Sequence, residues 1–364
     1  MRFIRLPWRI YRNSPHWVPP LIFERKQFLS RKKNPFFQHG DMQLFLAWRG
    51  RDPVGRISAQ YDEDFNAHHG NSWGYFGFFE CVDDQEAATA LLDAAEGWLR
   101  ERGHDRVVGP FDNTMNDESG VLIEGFERKP MVKQPWQHPY YQDLLEGAGL
   151  SKAIDLYMWD LQVDKRSDVA PMIWKVAETA EQQHGIRLRK MRKKHLDREV
   201  KAFVDIYNAA WKENWGFTPM REEDFAHTAK EMKPLLSEDW IMACDNPDGE
   251  TIAIALTVPD FNQAFERANG RLLPLGWARL LWKLPRIDQV RVGFLGVKPE
   301  YQHTGVAALL YREHFDMAAS TPQVGGEMGW ILETNEPMNR AMEGMGGKIV
   351  KRYRVYEKDL RSGE

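Results

Sequence analysis

The stretch that most constrains the fold is Val290–Ala307, with the sequence VRVGFLGVKPEYQHTGVA. Its apolar run, Val290–Val297, predicts a buried strand, Pro299 marks a turn, and apolar residues at helical spacing follow. The first N–H groups of a helix have no partner within the helix, and the helix dipole adds a partial positive charge there. Gly305 has no side chain and Ala307 only a methyl group, so a ligand could approach the backbone. The stretch therefore predicts a strand, a turn and a helix whose N-terminus binds a pyrophosphate.

Six residues of this turn resemble a family motif. The pattern Q/R-x-x-G-x-G/A of the GCN5-related N-acyltransferases fits Gln302, His303, Thr304, Gly305, Val306 and Ala307. The resemblance implies that these residues hold the pyrophosphate of an acyl-coenzyme A. A second apolar strand, Gly329–Leu332, follows the helix and leads into Glu333 and Asn335, and this context strengthens the match. An ordinary buried strand, turn and helix is the alternative interpretation.

The resemblance also implies roles for flanking residues. Backbone groups of Leu295 and Val297 would pair with the pantetheine arm of the coenzyme, as an added strand pairs with a sheet. Asn335 resembles the family residue that hydrogen-bonds this arm. It is equally suited to cap the next helix, which has Pro337 in its first turn. Acyl-coenzyme A is therefore the expected co-substrate, and no metal ion is expected.

Attack of an amine on a thioester needs a proton acceptor and a proton donor. Glu333 follows an apolar strand and is the candidate general base, with a strand-end cap or ion pair as its alternative role. In this family a tyrosine of the next helix often protonates the leaving thiolate, but here that position is Met342, which cannot transfer a proton. Tyr301 is the candidate replacement. Further candidates are Tyr140, Tyr141 and Tyr353.

Composition bounds the class of protein. A chain of 364 residues is long enough for two domains, and its formal net charge of -4 gives no reason to expect nucleic acid as a partner. Two cysteines, Cys81 and Cys244, make no disulfide framework. The N-terminus lacks the apolar core of a signal peptide, and no segment reaches the roughly twenty apolar residues that span a bilayer. We therefore expect a cytoplasmic protein.

The two halves of the chain resemble each other. Trp73–Val82 predicts a buried strand and Gln85–Arg102 a helix, and the segment Gly77–Asp84 aligns with Gly293–Glu300. These similarities predict an α/β fold of two tandem acyltransferase-like domains, each with a mixed central sheet flanked by helices. The predicted domains are residues 1–165 and 185–364, joined by a helical linker of residues 166–184.

The halves differ at the N-terminus of the predicted helix. The second half has glycine there, whereas the first half has Val82–Ala87, which contains three carboxylates. Carboxylates suit a helix N-terminus but repel a pyrophosphate. The coenzyme is therefore expected in the C-terminal domain, and the N-terminal domain is expected to be degenerate.

The segment Asp62–Asn71 is predicted to be a solvated or substrate-facing loop. It contains adjacent histidines, His68 and His69, which would point in different directions on a loop. A metal ion shared by these two side chains is therefore not expected.

The segment Arg271–Arg286 is predicted to be a basic amphipathic helix. Its apolar face is formed by Leu273, Trp277, Leu280, Leu281 and Leu284, and its basic face by Arg279, Lys283 and Arg286. Such a helix suits the surface of an anionic membrane, which would make the protein peripheral at the inner face of the membrane. The alternative is a helix that covers the core and turns its basic side to water.

Four residues are predicted to contact the acceptor substrate. Asn116 and Glu118 lie in a polar loop that contains glycine, a composition typical both of binding loops and of plain connections. Trp215 lies in an aromatic loop, and Trp277 lies on the amphipathic helix.

Longer stretches make the resemblance more specific. The chain is similar to the bacterial ceramide synthase-like (YghO) family of tandem acyltransferase-fold proteins. The similar stretches are Asn13–Leu21, Lys32–His39, Tyr75–Asp84, Asn208–Pro219 and the segment from LGVKPEYQHTGVA to YRVYEK. This resemblance implies N-acylation of an amine by an acyl-coenzyme A, with a long-chain sphingoid-type base as a candidate acceptor. The alternatives are an acetyl-coenzyme A-dependent acetyltransferase of a small molecule or protein amine, and a coenzyme-binding protein without catalysis.

Overall fold

The structure is a computed structural model that describes residues 1–233, 235–272 and 276–361, apart from the side chains of Glu231 and Arg279. Its strands are β1 (Gly40–Arg49), β2 (Asp52–Asp62), β3 (Trp73–Cys81), β4 (Arg106–Gly109), β5 (Val121–Glu124), β6 (Ser151–Gln162), β7 (Arg187–Lys190), β8 (Ile241–Asp245), β9 (Thr251–Pro259), β10 (Gln289–Val297), β11 (Gly325–Leu332) and β12 (Lys348–Asp359).

The α-helices alternate with these strands along most of the chain. They are α1 (Arg2–Arg5), α2 (Pro7–Ile10), α3 (Ile22–Phe28), α4 (Glu63–His69), α5 (Gln85–Arg100), α6 (Tyr141–Gly147), α7 (Pro171–His184), α8 (Leu196–Trp211), α9 (Glu222–Met232), α10 (Asn262–Phe265), α11 (Gly276–Lys283), α12 (Val306–Ser320) and α13 (Glu336–Gly344). Within the described residues, every helix is too short or too polar to cross a bilayer.

Contacts divide the chain into two compact units. Unit 1 comprises Met1–Leu156, Asn262–Leu281 and Lys351–Glu364, and unit 2 comprises Tyr157–Phe261 and Trp282–Val350. The units therefore differ from the consecutive domains predicted at 1–165 and 185–364, because two later segments join unit 1. The predicted division into residues 1–165, 166–184 and 185–364 stays a prediction.

Hydrogen bonds explain why the later segments belong to unit 1. The N–H group of Ile22 donates to the carbonyl oxygen of Gly270 at 3.0 Å, and Lys129 Nζ lies 2.6 Å from Glu266 Oε1. At the other end of the chain, β12 pairs antiparallel with β4, from Tyr356 opposite Gly109 to Asp359 opposite Arg106.

Unit 1 has the strand order β1-β2-β3-β4-β12, with β5 also paired to β12. The pairs β1–β2 and β2–β3 are antiparallel, whereas β3–β4 is parallel. Helix α5 packs on this sheet through apolar residues at helical spacing, among them Leu91, Leu92 and Leu99. A Cβ atom on Gly55 of β2 would lie 2.5 Å from Leu91 Cδ1, so this glycine allows the close approach of helix and sheet.

Unit 2 repeats this arrangement in the order β11-β10-β9-β8-β7. Its pairs are antiparallel except β10–β11, which is parallel. Helix α12 buries Leu309, Leu310 and Phe315 in a core that also contains Val292 and Met328 from the central strands. The mixed sheets flanked by helices confirm the predicted α/β class.

The segment Asp62–Asn71, predicted to be a loop, contains helix α4, so that prediction is wrong. The Asp62 carboxylate accepts hydrogen bonds from the N–H groups of Asp64 (2.9 Å) and Phe65 (3.2 Å), and Gly70 ends the helix with a φ of 60°. His39 Nδ1 lies 3.1 Å from Asp62 Oδ1, and Asp64 completes a group whose ligand atoms lie within 4.8 Å of one another. Helix capping accounts for the position of Asp62 in this group.

Candidate functional site

The central strands of unit 2 separate at one end. β10 pairs in parallel with β11 from Gln289 opposite Gly325 to Val292 opposite Met328, and with β9 as far as Val297 opposite Ala253. A bulge falls between Val292 and Phe294 in the β9–β10 register. Among the described residues, β10 beyond the bulge therefore has a strand partner on one edge only, and its other edge faces the gap towards β11. The predicted pantetheine contacts, Leu295 and Val297, are both buried in this part of β10.

The motif lies between β10 and the N-terminus of α12. A 3-10 helix, Pro299–Thr304, leads into Gly305, which has a φ of 82° and is the N-cap of α12. No side chain of the described residues caps this helix, and its first turn has no acidic residue. Gln302 and His303 are exposed, whereas Thr304 is buried and its hydroxyl donates to the carbonyl oxygen of Tyr301 at 2.6 Å. Uncapped N–H groups at a helix N-terminus suit an anion.

Gly305 has a structural role that the sequence did not reveal. A Cβ atom at this position would lie 2.6 Å from Val176 Cγ1 and 2.8 Å from the Val176 carbonyl oxygen, on helix α7. The α-carbon of Gly305 therefore packs against protein. The positive φ and this close contact both require glycine, whether or not a ligand binds. The backbone N–H groups, and not the bare α-carbon, are the part of the turn that suits a pyrophosphate.

Glu333 lies directly after β11 and is half-buried. Its backbone carbonyl oxygen and that of Leu332 accept from Asn339 Nδ2, at 3.5 Å and 3.0 Å, which holds the strand end against α13. Asn335 is the N-cap of α13, because its side-chain oxygen accepts from the N–H group of Met338 at 3.2 Å. The capping role predicted for Asn335 is confirmed. The cap uses only the oxygen, so the side-chain N–H groups can still donate to a ligand.

Tyr301 lies in the 3-10 helix that precedes the uncapped turn. Its hydroxyl accepts a hydrogen bond from Asn246 Nδ2 at 2.9 Å, which orients the ring towards the β8–β9 turn. This hydroxyl keeps its own proton for donation. Tyr301 thus lies in the same segment as the motif residues, whereas Tyr140, Tyr141 and Tyr353 belong to unit 1.

Two residues of unit 2 were missed by the sequence analysis. Tyr311, on α12, points its hydroxyl at Met338 Sδ, 3.3 Å away, and burial raises the pKa of this hydroxyl. Arg291, on β10, is buried, and its guanidinium lies 4.5 Å from the ring centre of Trp330. The spacing of Tyr311 within the helix looks like that of a core residue, and an arginine in a central strand gives no signal of its function. Met342 is fully buried in the core, as an apolar side chain should be.

The corresponding strand of unit 1 is bound by side chains of the protein itself. β3 pairs in parallel with β4 only from Trp73 to Tyr75. Beyond this pairing, the Phe78 N–H group donates to Asp112 Oδ1 at 2.9 Å, and the Cys81 N–H group donates to the Tyr141 hydroxyl at 3.1 Å. The Tyr140 hydroxyl donates to the Cys81 carbonyl oxygen at 2.9 Å. These backbone groups are therefore unavailable to a ligand.

Helix α5, which follows β3, is capped. Asp84 Oδ1 accepts from the N–H group of Ala87 at 3.2 Å, and Asp84 Oδ2 lies 2.5 Å from Arg49 Nη2. The hydrogen bond from Arg49 lowers the pKa of Asp84, and the bond from the Ala87 N–H group lowers it further. A charged carboxylate thus occupies the position that an anionic ligand would need.

The predicted acceptor contacts are distributed over the two units. Asn116, Glu118 and Trp277 belong to unit 1, and Trp215 belongs to unit 2, in the loop between α8 and α9. Glu118 is bound to Arg25, with Oε2 2.9 Å from Nη1, so its charge is already neutralised. Trp277 is 51% exposed on α11.

Part of the predicted amphipathic segment lies outside the described residues. Leu273 and the side chain of Arg279 belong to that part. On α11, Trp277, Leu281 and Trp282 are more than half exposed, at 51%, 58% and 59%. The guanidinium of Arg286 lies 4.2 Å from the ring centre of Trp282. The exposed side of this helix therefore carries large apolar side chains beside a cation.

Comparisons with known proteins give relatives of full length. The chain is 37% identical over 366 residues to the bacterial ceramide synthase of Caulobacter vibrioides (strain NA1000 / CB15N), covering 99% of this chain and 94% of that protein. It is 36% identical over 366 residues to protein YghO of Escherichia coli (strain K12), covering 98% of this chain and 92% of that protein. No family model matches the chain.

Solved structures give the same fold. A tandem GNAT protein from the clavulanic acid biosynthesis pathway covers 100% of this chain and 95% of its own, with a TM-score of 0.56 and 11% identity. A GCN5-related glucosamine N-acetyltransferase region of a fungal multi-domain β-N-acetylglucosaminidase has a TM-score of 0.58 and 13% identity, over 98% of this chain and 36% of its own. At such identities the likeness concerns the fold alone, and the first of these proteins carries it in tandem form.

Proposed function

This chain belongs to the family of the bacterial ceramide synthase and YghO, which has the GCN5-related N-acyltransferase fold, and from that premise we propose its substrates and site. The protein transfers an acyl group from acyl-coenzyme A to a primary amine. The acceptor is a long-chain base of the sphingoid type, which the name of the Caulobacter relative supports.

One observation carries the proposal for the coenzyme: within the described residues, α12 begins without a side-chain cap, at the end of the 3-10 helix that follows a strand with one unpaired edge. The N–H groups of the motif Gln302–Ala307 bind the pyrophosphate there. The open edge of β10 at Leu295 and Val297 pairs with the pantetheine arm, and the amide group of Asn335 donates to it. The coenzyme supplies the thioester to be cleaved.

The chain supplies the proton transfers. Glu333 accepts a proton from the ammonium form of the acceptor, and the neutral nitrogen then attacks the thioester carbon. The carbon–sulfur bond breaks, the Tyr301 hydroxyl gives its proton to the departing sulfur, and the nitrogen loses its second proton to solvent, which returns a proton to Tyr301. Met342 has no proton to give, so this role falls to a tyrosine elsewhere in unit 2.

Peripheral contact with the inner face of the membrane fits an acceptor with a long hydrocarbon chain. Exposed tryptophans beside basic side chains favour the interface of an anionic bilayer. Trp277 and Trp282 are both exposed on α11, and the guanidinium of Arg286 lies 4.2 Å from the ring centre of Trp282. We expect the double variant Trp277→Ser, Trp282→Ser to lose sedimentation with phosphatidylglycerol vesicles. The variant Trp48→Ser, which changes a tryptophan that is 43% exposed outside this helix, is the control. Equal sedimentation of both variants would reject the contact.

Thermal shifts test the proposed co-substrate. A ligand that binds only the folded state raises the melting temperature by mass action. We expect coenzyme A to raise the melting temperature of the purified protein, and palmitoyl-coenzyme A, below its micelle-forming concentration, to raise it further. Equal shifts with acetyl- and palmitoyl-coenzyme A would favour small-acyl chemistry, and the absence of any shift would reject the site.

The variant Glu333→Gln tests the proposed base. The amide cannot accept the amine proton, so turnover should fall by about 100-fold or more while the coenzyme-induced shift is unchanged. Glu336→Gln is the matched control, because Glu336 is a neighbouring exposed glutamate paired with Arg340 at 2.9 Å. An unaffected rate in Glu333→Gln would remove Glu333 from the mechanism.

A further inference from the structure

We propose that an apolar cavity between helices α8 and α9 holds the hydrocarbon chain of the acyl donor. This inference rests on the proposed function, because it assigns a place to one part of the proposed co-substrate. It concerns unit 2 alone. Nothing in the motif or in its flanking strands pointed to this cavity from the sequence.

The cavity has a volume of about 40 Å³ and lies under α8 and α9 against strands β8 and β9. Four of its lining residues are charged, Arg192, Lys193, Glu199 and Glu238, and the others are apolar. The apolar lining consists of Met191, Leu196, Val200, Phe203, Phe225, Ala229, Leu236, Ile241 and Leu256. An unfilled apolar cavity is destabilising, so a space of this kind at the edge of a core suits an apolar ligand.

Two lining residues, Leu256 and Phe203, connect the cavity to β10, the strand along which we propose that the thioester lies. Leu256 lines the cavity and is the β9 partner of Phe294, the first residue of β10 after the bulge. Phe203, which also lines it, has its ring centre 4.7 Å from that of Phe294. β10 loses its pairing to β11 at this same bulge. Phe294 therefore lies between this part of β10 and the cavity wall at Phe203 and Leu256, on the path that we assign to the acyl chain.

Charge pairing indicates which group the cavity takes. Its two carboxylates are already engaged: Glu199 Oε1 lies 2.9 Å from Arg189 Nη1, and Glu238 Oε2 lies 2.9 Å from Arg192 Nη1. The Lys193 N–H group also donates to Glu238 Oε1, at 2.7 Å. An ammonium group would find no available counter-charge at these carboxylates, whereas a hydrocarbon chain requires none. The pairing favours the acyl chain over the amine end of the acceptor.

The cavity is too small for a long acyl chain unless two aromatic rings in its wall move apart. A space of about 40 Å³ is roughly three times what one water-sized sphere needs, which suits a few methylene groups. Phe203 and Phe225 close it from α8 and α9, with ring centres 3.9 Å apart and planes 11° apart. A long acyl chain requires these two rings to separate. Phe225 therefore sets the longest chain that fits.

The test compares two phenylalanine substitutions one residue apart on α9. Ala229→Phe fills the cavity, because Ala229 is buried in its wall, whereas Thr228→Phe adds the same ring to an exposed position. Calorimetric titration with coenzyme A and with palmitoyl-coenzyme A measures both parts of the ligand. We expect Ala229→Phe to lower the affinity for palmitoyl-coenzyme A by at least about 10-fold and to leave the affinity for coenzyme A unchanged. Thr228→Phe should alter neither affinity.

Other outcomes separate this inference from the proposed function. If the unmodified protein binds neither ligand, the proposed function fails and the inference fails with it. If it binds both, and Ala229→Phe binds palmitoyl-coenzyme A as the unmodified protein does, only the cavity assignment is wrong. A change in the preferred chain length of the acceptor, with the acyl preference unchanged, would overturn the assignment as well.

A second variant keeps the inference testable if Ala229→Phe does not fold. Phe225→Ala enlarges the cavity and removes one ring of the closing pair. It should shift the preferred acyl donor to longer chains in a series from acetyl- to stearoyl-coenzyme A, by at least about 10-fold in relative affinity. An unchanged chain-length profile would overturn the assignment.

Discussion

Helix α5 follows β3 and helix α12 follows β10, the central strands of their units. The two helices differ in the residue that lies beside the N–H groups of their first turn. At α5 the carboxylate of Asp84 accepts from the Ala87 N–H group, and Glu86 adds a second acidic residue to the first turn. At α12 the N-cap is Gly305; no side chain in the described part of the chain caps this helix, and its first turn has no acidic residue.

The same fold can therefore have its backbone groups at this position bound by its own side chains or not. In unit 1 the protein supplies its own anion at the helix N-terminus and its own hydrogen-bond partners along β3, from Asp112, Tyr140 and Tyr141. In unit 2, within the described residues, Gly305 is the N-cap of α12 and the pairing of β10 with β11 ends at Val292. Side chains in the first unit thus occupy the places that we propose for the coenzyme in the second.

The largest effect is expected when α12 is given an acidic residue like that of α5, which tests whether charge at the helix N-terminus controls coenzyme binding. Ala307→Glu places a carboxylate in the first turn of α12, where it should repel the pyrophosphate. The affinity for coenzyme A should fall by at least about 100-fold, which corresponds to about 3 kcal/mol. The helix dipole should meanwhile stabilise the fold by about 0.3–1 kcal/mol. Calorimetric titration and thermal unfolding measure the two effects.

Ala307→Gln is the control for this experiment, because it has the same length without the charge. Its affinity for coenzyme A should fall far less than that of Ala307→Glu. Equal losses in the two variants would attribute the effect to size and would contradict an electrostatic contrast between the helices.

The second prediction separates packing from ligand binding at Gly305. Gly305→Ala should lower the free energy of unfolding by about 2–3 kcal/mol, because its φ of 82° strains an alanine and its Cβ meets Val176. Gly103→Ala is the matched control: its φ is 80°, but among the described residues beyond its two chain neighbours no atom lies within 4 Å of the added Cβ. It should cost about 1 kcal/mol. Equal losses in denaturant unfolding would show that contact with α7 contributes nothing.

The third prediction concerns the hydroxyl that occupies β3. The Tyr141 hydroxyl donates to Glu80 Oε2 at 2.7 Å and accepts from the Cys81 N–H group. Tyr141→Phe should lower the free energy of unfolding by about 1–3 kcal/mol, since it leaves a buried N–H group without a partner. Tyr353→Phe removes a hydroxyl that donates to the Pro135 carbonyl oxygen at 3.2 Å, a bond to a carbonyl rather than from a buried N–H group, and should cost less. The same loss in both variants would contradict a special role for Tyr141.

The smallest effect is expected at the cap of α5. Asp84→Ala should cost about 1 kcal/mol, because the Ala87 N–H group loses its partner. The pKa of Asp84 is lowered in the folded state, so its contribution is complete above the ordinary aspartate pKa of about 3.9 and is lost as the pH falls through the folded value. The stability difference between Asp84→Ala and the unmodified protein should therefore vanish at strongly acidic pH. A constant difference down to that pH would exclude the carboxylate as its source.

Strong local patterns predicted the repeated elements well. The predicted strand Trp73–Val82 is β3, one residue shorter, and the predicted helix Gln85–Arg102 is α5, two residues shorter. Both have continuous apolar or periodic sequences between clear turn signals. The helix α4 was missed because it is only seven residues long and polar, and its start depends on the cap at Asp62.

The contacts that define the site were less accessible to sequence reasoning. The motif at Gln302–Ala307 was visible because its residues are adjacent in the chain. The hydrogen bonds of Asp112 and Tyr141 to β3 join residues 34 and 60 positions apart, and no local pattern encodes such pairs. The apolar cavity was invisible for the same reason, since its walls come from two helices, two strands and the segments at Met191–Lys193 and Leu236–Glu238.

The pairing of β12 with β4 has a consequence for the protein during its synthesis. Arg106 on β4 forms an ion pair of 2.7 Å with Glu357, a residue 251 positions later. At about 5–20 residues per second, a ribosome needs roughly 10–50 s to supply that partner. Until then the nascent chain exposes an unpaired edge at Val107 and Val108, of the kind that pairs with other chains. Unit 1 is therefore completed late in translation, and in that interval its β4 edge is open to pairing with other chains.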